Sequence, residues 1–163
     1  MVAHRTNLYP AQSLSTAWSC QSLMALGEKL FEETGKVVGF KVTRVHPIEG
    51  TTMEVSFTSE IKGFGKYPSG RNVGSGILTQ YPHGVVDGGY QVTMMTAEEG
   101  EQFMVWAHEK SKVVEGGKMK GLSIASGFTN SQKLSWMNRL LIAGETESDP
   151  AAQQFRVTGY QWI

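Results

Sequence analysis

The sequence predicts an all-β fold: a single antiparallel β-barrel of about eight strands, with a short helix near residues 131–138 and an N-terminal arm or helix. Three observations carry this. From Lys36 onward apolar and polar residues alternate at a period of two. Turn-forming clusters recur between the alternating runs, as in an all-β domain built of short strands. Gly39, Gly74, Gly76 and Gly121 fall inside the runs, where the sharp bends of a small barrel need them. Closure suits an antiparallel sheet of this size because it removes the adhesive edges; an open sandwich is the competing architecture.

In chain order, Ala11 to Glu33 carries Leu14, Trp18, Leu23, Leu26 and Leu30 at partly helical spacing, weakened by Gly27. It reads as an arm or short helix, with the domain boundary set at residues 1–29 and 30–163. Val38, Phe40 and Val42 then alternate with Lys41 and Thr43, and Pro47 with Glu49-Gly50 ends the run. Met53, Val55, Phe57 and Ile61 share one face of the next strand, opposite Glu54, Ser56, Thr58 and Glu60, so one face is core and the other wet. Gly63 to Gly70 is a loop. Val73 to Tyr81 and Val85 to Thr96 form a hairpin around Pro82-His83-Gly84. Gln102 to Val114 and Met119 to Thr129 follow, separated by Glu115-Gly116-Gly117. Asn130 or Ser131 caps one or two helical turns containing Leu134 and Met137. Leu140 to Glu145 and Phe155 to Trp162 close the sheet. The absence of strand–helix alternation argues against Rossmann and TIM-type folds.

The chain has 163 residues, enough for one domain with a proper core, and 40% of them are hydrophobic. Its 15 basic residues balance its 15 acidic ones, which removes the overall charge that nucleic-acid binding normally uses. No stretch approaches the length of a membrane-spanning helix, and residues 1–22 do not have the layout of a secretion signal, so the expected location is cytoplasmic. The single cysteine, Cys20, has no partner for a disulfide and reads as a small, partly buried residue.

The chemistry-bearing motifs are sparse. Gly63-Phe64-Gly65 and Gly70 to Gly76 are not followed by GK[ST] or by a helix, so they read as turns rather than phosphate loops. His4, His46, His83 and His108 show no metal-ligand spacing, and no GxSxG elbow exists; neither a metal nor a cofactor is expected. Acid–base chemistry inside a barrel is the better prospect. His108 follows Met104 and Trp106 at a period of two, which would lead an apolar wall to an imidazole able to move a proton near neutral pH. The opposite parity would line the barrel with Phe103, Val105 and Ala107 instead, and the pattern does not choose between them. Arg44, on the face of Val38, Phe40 and Val42, and Tyr81 and Tyr90, flanking the His83 turn, complete the polar candidates. Trp106, Met104 and Phe57 are the candidate ligand-lining residues.

The segment Phe128 to Asn138, FTNSQKLSWMN, followed by a strand ending in Glu145 and by Tyr160-Gln161-Trp162, resembles a family of small bacterial β-barrel proteins. Its marks are a T-x-S-x-K-L-x-x-x-N element and a closing aromatic pair, here with Gln161 in place of the usual acidic residue. Glu33-Thr34-Gly35-Lys36, Trp106 and Gly116-Gly117 also fit, so the likeness runs from about Leu30 to Trp162. It implies a barrel and no particular activity. In architecture the chain resembles the barrels of allene oxide cyclases, spirotetronate cyclases and calycins, which enclose a flexible hydrophobic molecule.

Together these readings lead to a barrel that binds a small apolar molecule. Whether it is an enzyme is left open; if it is, the expected chemistry is a cofactor-independent isomerisation, cyclisation or elimination by His108, Tyr81, Tyr90 and Arg44. The alternative is a carrier or interaction barrel whose core is filled by its own side chains. A homodimer is compatible with either reading, and no nucleic acid or membrane partner is expected.

Overall fold

The computed structural model describes residues 26–163, and they form a closed, eight-stranded antiparallel barrel in simple sequential order. The strands are β1 (Leu26–His46), β2 (Gly50–Gly63), β3 (Gly70–Gln80), β4 (Val85–Thr96), β5 (Gln102–Val113), β6 (Met119–Phe128), β7 (Leu141–Asp149) and β8 (Gln154–Trp162). The barrel closes where β1 pairs with β8. Among the described residues the only helical segments are two 3-10 turns, Glu115–Gly117 and Ser135–Arg139, the second overlapping the stretch 131–138 where a short helix was expected. No helix among the described residues is long and apolar enough to cross a membrane.

β1 begins earlier than the sequence suggests. Residues 26–29, expected to belong to the arm, already pair with β8, with Leu26 opposite Trp162 and Lys29 opposite Tyr160. Pairing with β8, joined from Phe31 onward by pairing with β2, overrides the weak helical spacing of Leu26 and Leu30. The rest of the arm, with Cys20 and His4, lies outside the described residues.

β1 is also irregular. Register shifts between Val37 and Gly39, and again between Val42 and Arg44, insert extra residues opposite β2. The first sets Val37 and Phe40 opposite the inward Phe57 and Val55 and leaves Val38 as the extra residue, so Val38 does not share a face with Phe40. The second places Arg44 opposite Thr52, on the outer face, where it forms an ion pair with Glu49. Arg44 is therefore not on the inward side of this strand.

The two ends of the barrel differ. At one end the loop after β2 and the segment between β6 and β7 fold inward. Tyr67, Leu134, Met137 and Leu140 pack there on Phe31, Ile61, Met94, Phe103 and Ile142 as a single buried cluster. Phe103 and Met137 are fully inaccessible, so this end is plugged. The element T-x-S-x-K-L-x-x-x-N builds the plug. Asn138 accepts from the Thr129 backbone N–H through Oδ1 (2.8 Å) and donates from Nδ2 to the Thr129 carbonyl (3.0 Å). Ser131 Oγ accepts from the Leu134 N–H (3.3 Å), Leu134 enters the core and Lys133 pairs with Glu99. At the other end four turns surround a mouth that opens into the barrel.

Inward-facing glycines let neighbouring strands carry rings flat against the wall. A Cβ on Gly74 would lie 2.3 Å from the Phe57 ring, and one on Gly35 would lie 2.3 Å from that of Phe155. These glycines make room for the aromatic rings that line the middle of the barrel.

Candidate functional site: the barrel lumen

Above the plug the barrel keeps a cavity of about 470 Å³ rather than a filled core. This volume falls within the ~300–1,000 Å³ of typical small-molecule pockets. Its wall is largely apolar, with Val37, Met53, Val55, Leu78, Val92 and Val105 among the lining residues. Phe57 stands at the centre of an aromatic belt. Its ring meets Tyr90 edge-on at 5.8 Å and Phe155 edge-on at 5.4 Å.

Four carboxyl residues border the cavity: Glu147 and Asp149 stand by the β7–β8 turn at the mouth, while Glu109 and Glu33 break the apolar wall from inward strand positions. On β5 the inward positions are Phe103, Val105, Ala107 and Glu109, so Glu109 continues the row that starts in the plug. The Tyr90 hydroxyl donates to its Oε2 at 3.4 Å. Burial pushes the Glu109 carboxyl above the ordinary glutamate range. Beside it the hydroxyls of Ser111 and Thr146 favour the ionised form without completing a hydrogen bond, and both are buried without a partner. The Tyr90 phenol is itself driven up, first by burial and then by the neighbouring Glu109 charge.

The second carboxyl, Glu33, is one inward position from Phe31 of the plug and only 8% exposed. Its Oε1 accepts from Ser59 Oγ (2.5 Å) and from Asn72 Nδ2 (2.9 Å). Burial raises its pKa, and these two bonds only partly offset the rise. Nearby, the fully buried Tyr67 phenol is also pushed up by burial, with a further contribution from the Glu33 charge.

The candidates read from the sequence scatter around this site. Phe57 and Tyr90 face the lumen. Tyr81 is in the turn after β3 at the mouth, stacked on His83 at 5.5 Å. Met104, Trp106 and His108 point outward, because β5 takes the parity in which Phe103, Val105 and Ala107 line the interior. His108 is 58% exposed and meets Asp87 at 2.9 Å on the outer surface. Arg44 is outside as well. Of the four polar candidates, the barrel brings only Tyr90 into the cavity beside a second ionisable group.

Glu33 and Glu109 were not singled out by the sequence. The available signal was parity, since Glu109 is the charged member of the otherwise apolar row Phe103, Val105, Ala107. Among the described residues no three His, Cys, Asp or Glu side chains converge as metal ligation requires.

No protein-family model matches the sequence, and no curated protein is similar to it. Solved structures are. A protein of unknown function from Clostridium acetobutylicum superposes with a TM-score of 0.74 at 15% identity, covering 87% of this chain and 99% of that one. A β-barrel-like protein from Acinetobacter baumannii gives 0.73 at 12% identity over 87% and 98%. An enzyme from Penicillium herquei gives 0.66 at 14% identity over 87% and 96%. The shared feature is the barrel. At these identities the likeness shows the fold, and function has to be argued from the lumen.

Proposed function

We propose that the lumen binds a small, largely apolar molecule and that Glu109, positioned by Tyr90, transfers a proton on it. The single observation that carries this reading is a partly buried carboxyl of raised pKa in an apolar cavity, beside two buried hydroxyls that no protein group satisfies. A carboxyl whose pKa is raised by burial keeps its proton to higher pH than an exposed glutamate does, and in that form it is a proton donor. Once it has given its proton it can recover one from another atom of the same molecule. The net change is an isomerisation or ring closure with no redox step and no cofactor, assisted by a wall that holds a flexible chain in one shape. Elimination by the same donor and acceptor is the closest variant. The barrel shared with an enzyme from Penicillium herquei is compatible with catalysis and does not specify it.

A carrier would use the same cavity, so binding and turnover have to be separated. Apolar compounds are screened for displacement of an environment-sensitive dye, and those that bind are incubated with the protein and examined for products of unchanged mass or for elimination products. Conversion that disappears in Glu109→Gln while binding is kept supports proton transfer. Conversion that survives this substitution removes Glu109 from the chemistry, and binding without any conversion favours the carrier.

A further inference from the structure

We infer that the lumen is built for an uncharged molecule with a hydrogen-bonding group at each end of an apolar body, and that Glu33 and Asn72 are the anchor for its inner end. This inference rests on the reading of the lumen as a binding site and adds the class of ligand it selects.

The argument starts from unsatisfied groups. A buried polar atom without a partner costs about 1–3 kcal/mol, so such atoms are rare in a settled core. Among the described residues three occur, and all belong to inward positions of the barrel: Asn72 Oδ1, Ser111 Oγ and Thr146 Oγ1. They fall into two groups. Ser111 and Thr146 belong with Glu109 and Tyr90, while Asn72 belongs with Glu33 and Ser59.

The groups are at different depths. Glu33 follows Phe31 of the plug by one inward position, whereas Glu109 follows Phe103 of the plug by three. Each inward step is two residues, about 6.6 Å along a strand. The rings of Phe57 and Phe155, edge-on at 5.4 Å, face the same lumen and offer contact area and little else to bond. A ligand reaching both levels therefore needs an apolar middle.

The inner anchor has a distinct chemistry. Glu33 Oε1 is taken by Ser59 and Asn72, which leaves Oε2 for the cavity that Glu33 lines. In its protonated form, which burial favours, the carboxyl offers Oε2–H as a donor, and Asn72 Oδ1 beside it is an acceptor. A donor next to an acceptor matches a group that both accepts and donates, such as a hydroxyl or a carboxamide. An anion has no proton to give Asn72, and its charge is not compensated, because no Lys or Arg lines the cavity. Selection for a neutral group follows from what is missing from the wall as much as from what is there.

The test uses compounds of one length: 1,10-decanediol, 1-decanol, decanoate and decylammonium, each displacing an environment-sensitive dye from the full chain. The expected result is that the diol binds about fivefold to tenfold more tightly than the mono-alcohol, the worth of one hydrogen bond. Decanoate should be the weakest. Asn72→Leu and, separately, the isosteric Glu33→Gln each bear on the inner anchor; Asn72→Leu should erase the diol's advantage over the mono-alcohol. Glu33→Gln keeps a donor in place and should retain it, which distinguishes a lost contact from a damaged fold. A diol with no advantage, or an advantage that survives Asn72→Leu, overturns the inference while leaving the lumen reading intact. Dye binding that none of the four compounds displaces overturns both.

Discussion

The phenol of Tyr90 donates to Oε2 of Glu109 at 3.4 Å, across the β4–β5 ladder and inside the lumen. This long contact joins an otherwise ordinary barrel wall to a group that can carry a proton. Tyr90 pulls the carboxyl pKa down, against the larger upward push from burial. In Tyr90→Phe the ring and its edge-on contact with Phe57 survive, and the hydroxyl is lost. Glu109 should then titrate higher than in the wild type. Carbon-13 NMR of glutamate-labelled protein reads this directly, and an unmoved Glu109 titration would show that the pair is not coupled.

Glu33 makes a prediction about stability against pH. Its carboxyl is raised in the folded state, so between the ordinary glutamate value of 4.5 and the folded value the native protein holds one more proton than the unfolded chain. Stability contributed by this group is complete below the unfolded value and is lost as pH rises through the folded one. Glu33→Gln cannot ionise. It should therefore have a shallower decline in thermal midpoint from acid to neutral pH, with its advantage over the wild type growing as pH rises. Parallel pH curves for the two proteins would sink this account.

The alternation of Met53, Val55, Phe57 and Ile61 was legible because one side of β2 is apolar and the other is charged, so only one parity makes a core. On β5 both sides are apolar in composition: Met104 and Trp106 against Phe103, Val105 and Ala107. Burial decides it, with Phe103 inaccessible and Trp106 46% exposed, and burial is a property of the closed barrel rather than of the strand. Arg44 was misplaced for a related reason. Two bulges on β1 shift the period; Gly39 flags a bend at the first, and nothing local between Val42 and Arg44 marks the second. Glu33 was hidden inside a stretch whose leucines suggest a helix, and only pairing with β2 and β8 makes it inward-facing. The architecture was thus written in the alternation and the turns, while the site depended on parities that long-range pairing sets.

His108 tests the corrected parity. Because it stands on the outer surface against Asp87, His108→Gln should leave dye affinity and its displacement by apolar compounds unchanged. Ala107→Gln, one residue away and inward, should weaken both by intruding on the cavity. Equal effects from the two substitutions would contradict the arrangement of β5.

Two glycines separate a wall that can yield from one that cannot. In Gly74→Ala the new Cβ meets the end of the Phe57 ring at 2.3 Å, and that ring borders open cavity into which it can swing. In Gly70→Ala the new Cβ meets the Met95 carbonyl oxygen at 2.2 Å, which is backbone held in the β3–β4 ladder. Overpacking of an unyielding site costs about 1–3 kcal/mol, so Gly70→Ala should fall in that range by urea denaturation. Gly74→Ala should lose less stability and show it instead as weaker dye binding.

Asn138 tests whether the T-x-S-x-K-L-x-x-x-N element is structural. Its amide bonds both the N–H and the carbonyl of Thr129, and Thr129 Oγ1 in turn donates to the Gln102 carbonyl at 2.6 Å. Through these contacts the segment between β6 and β7 is tied to the rim of β5, and that tie holds Leu134 and Met137 in the plug. Asn138→Ala removes two hydrogen bonds at the buried Thr129, worth about 0.5–1.5 kcal/mol each. The thermal midpoint should drop, and amide exchange should quicken across residues 129–140 before it does in the β1–β4 strands. Because Asn138 touches neither Glu109 nor Glu33, dye affinity at a temperature where the variant is folded should be close to that of the wild type. A variant of normal stability and lost lumen binding would instead assign the element a direct part in ligand recognition.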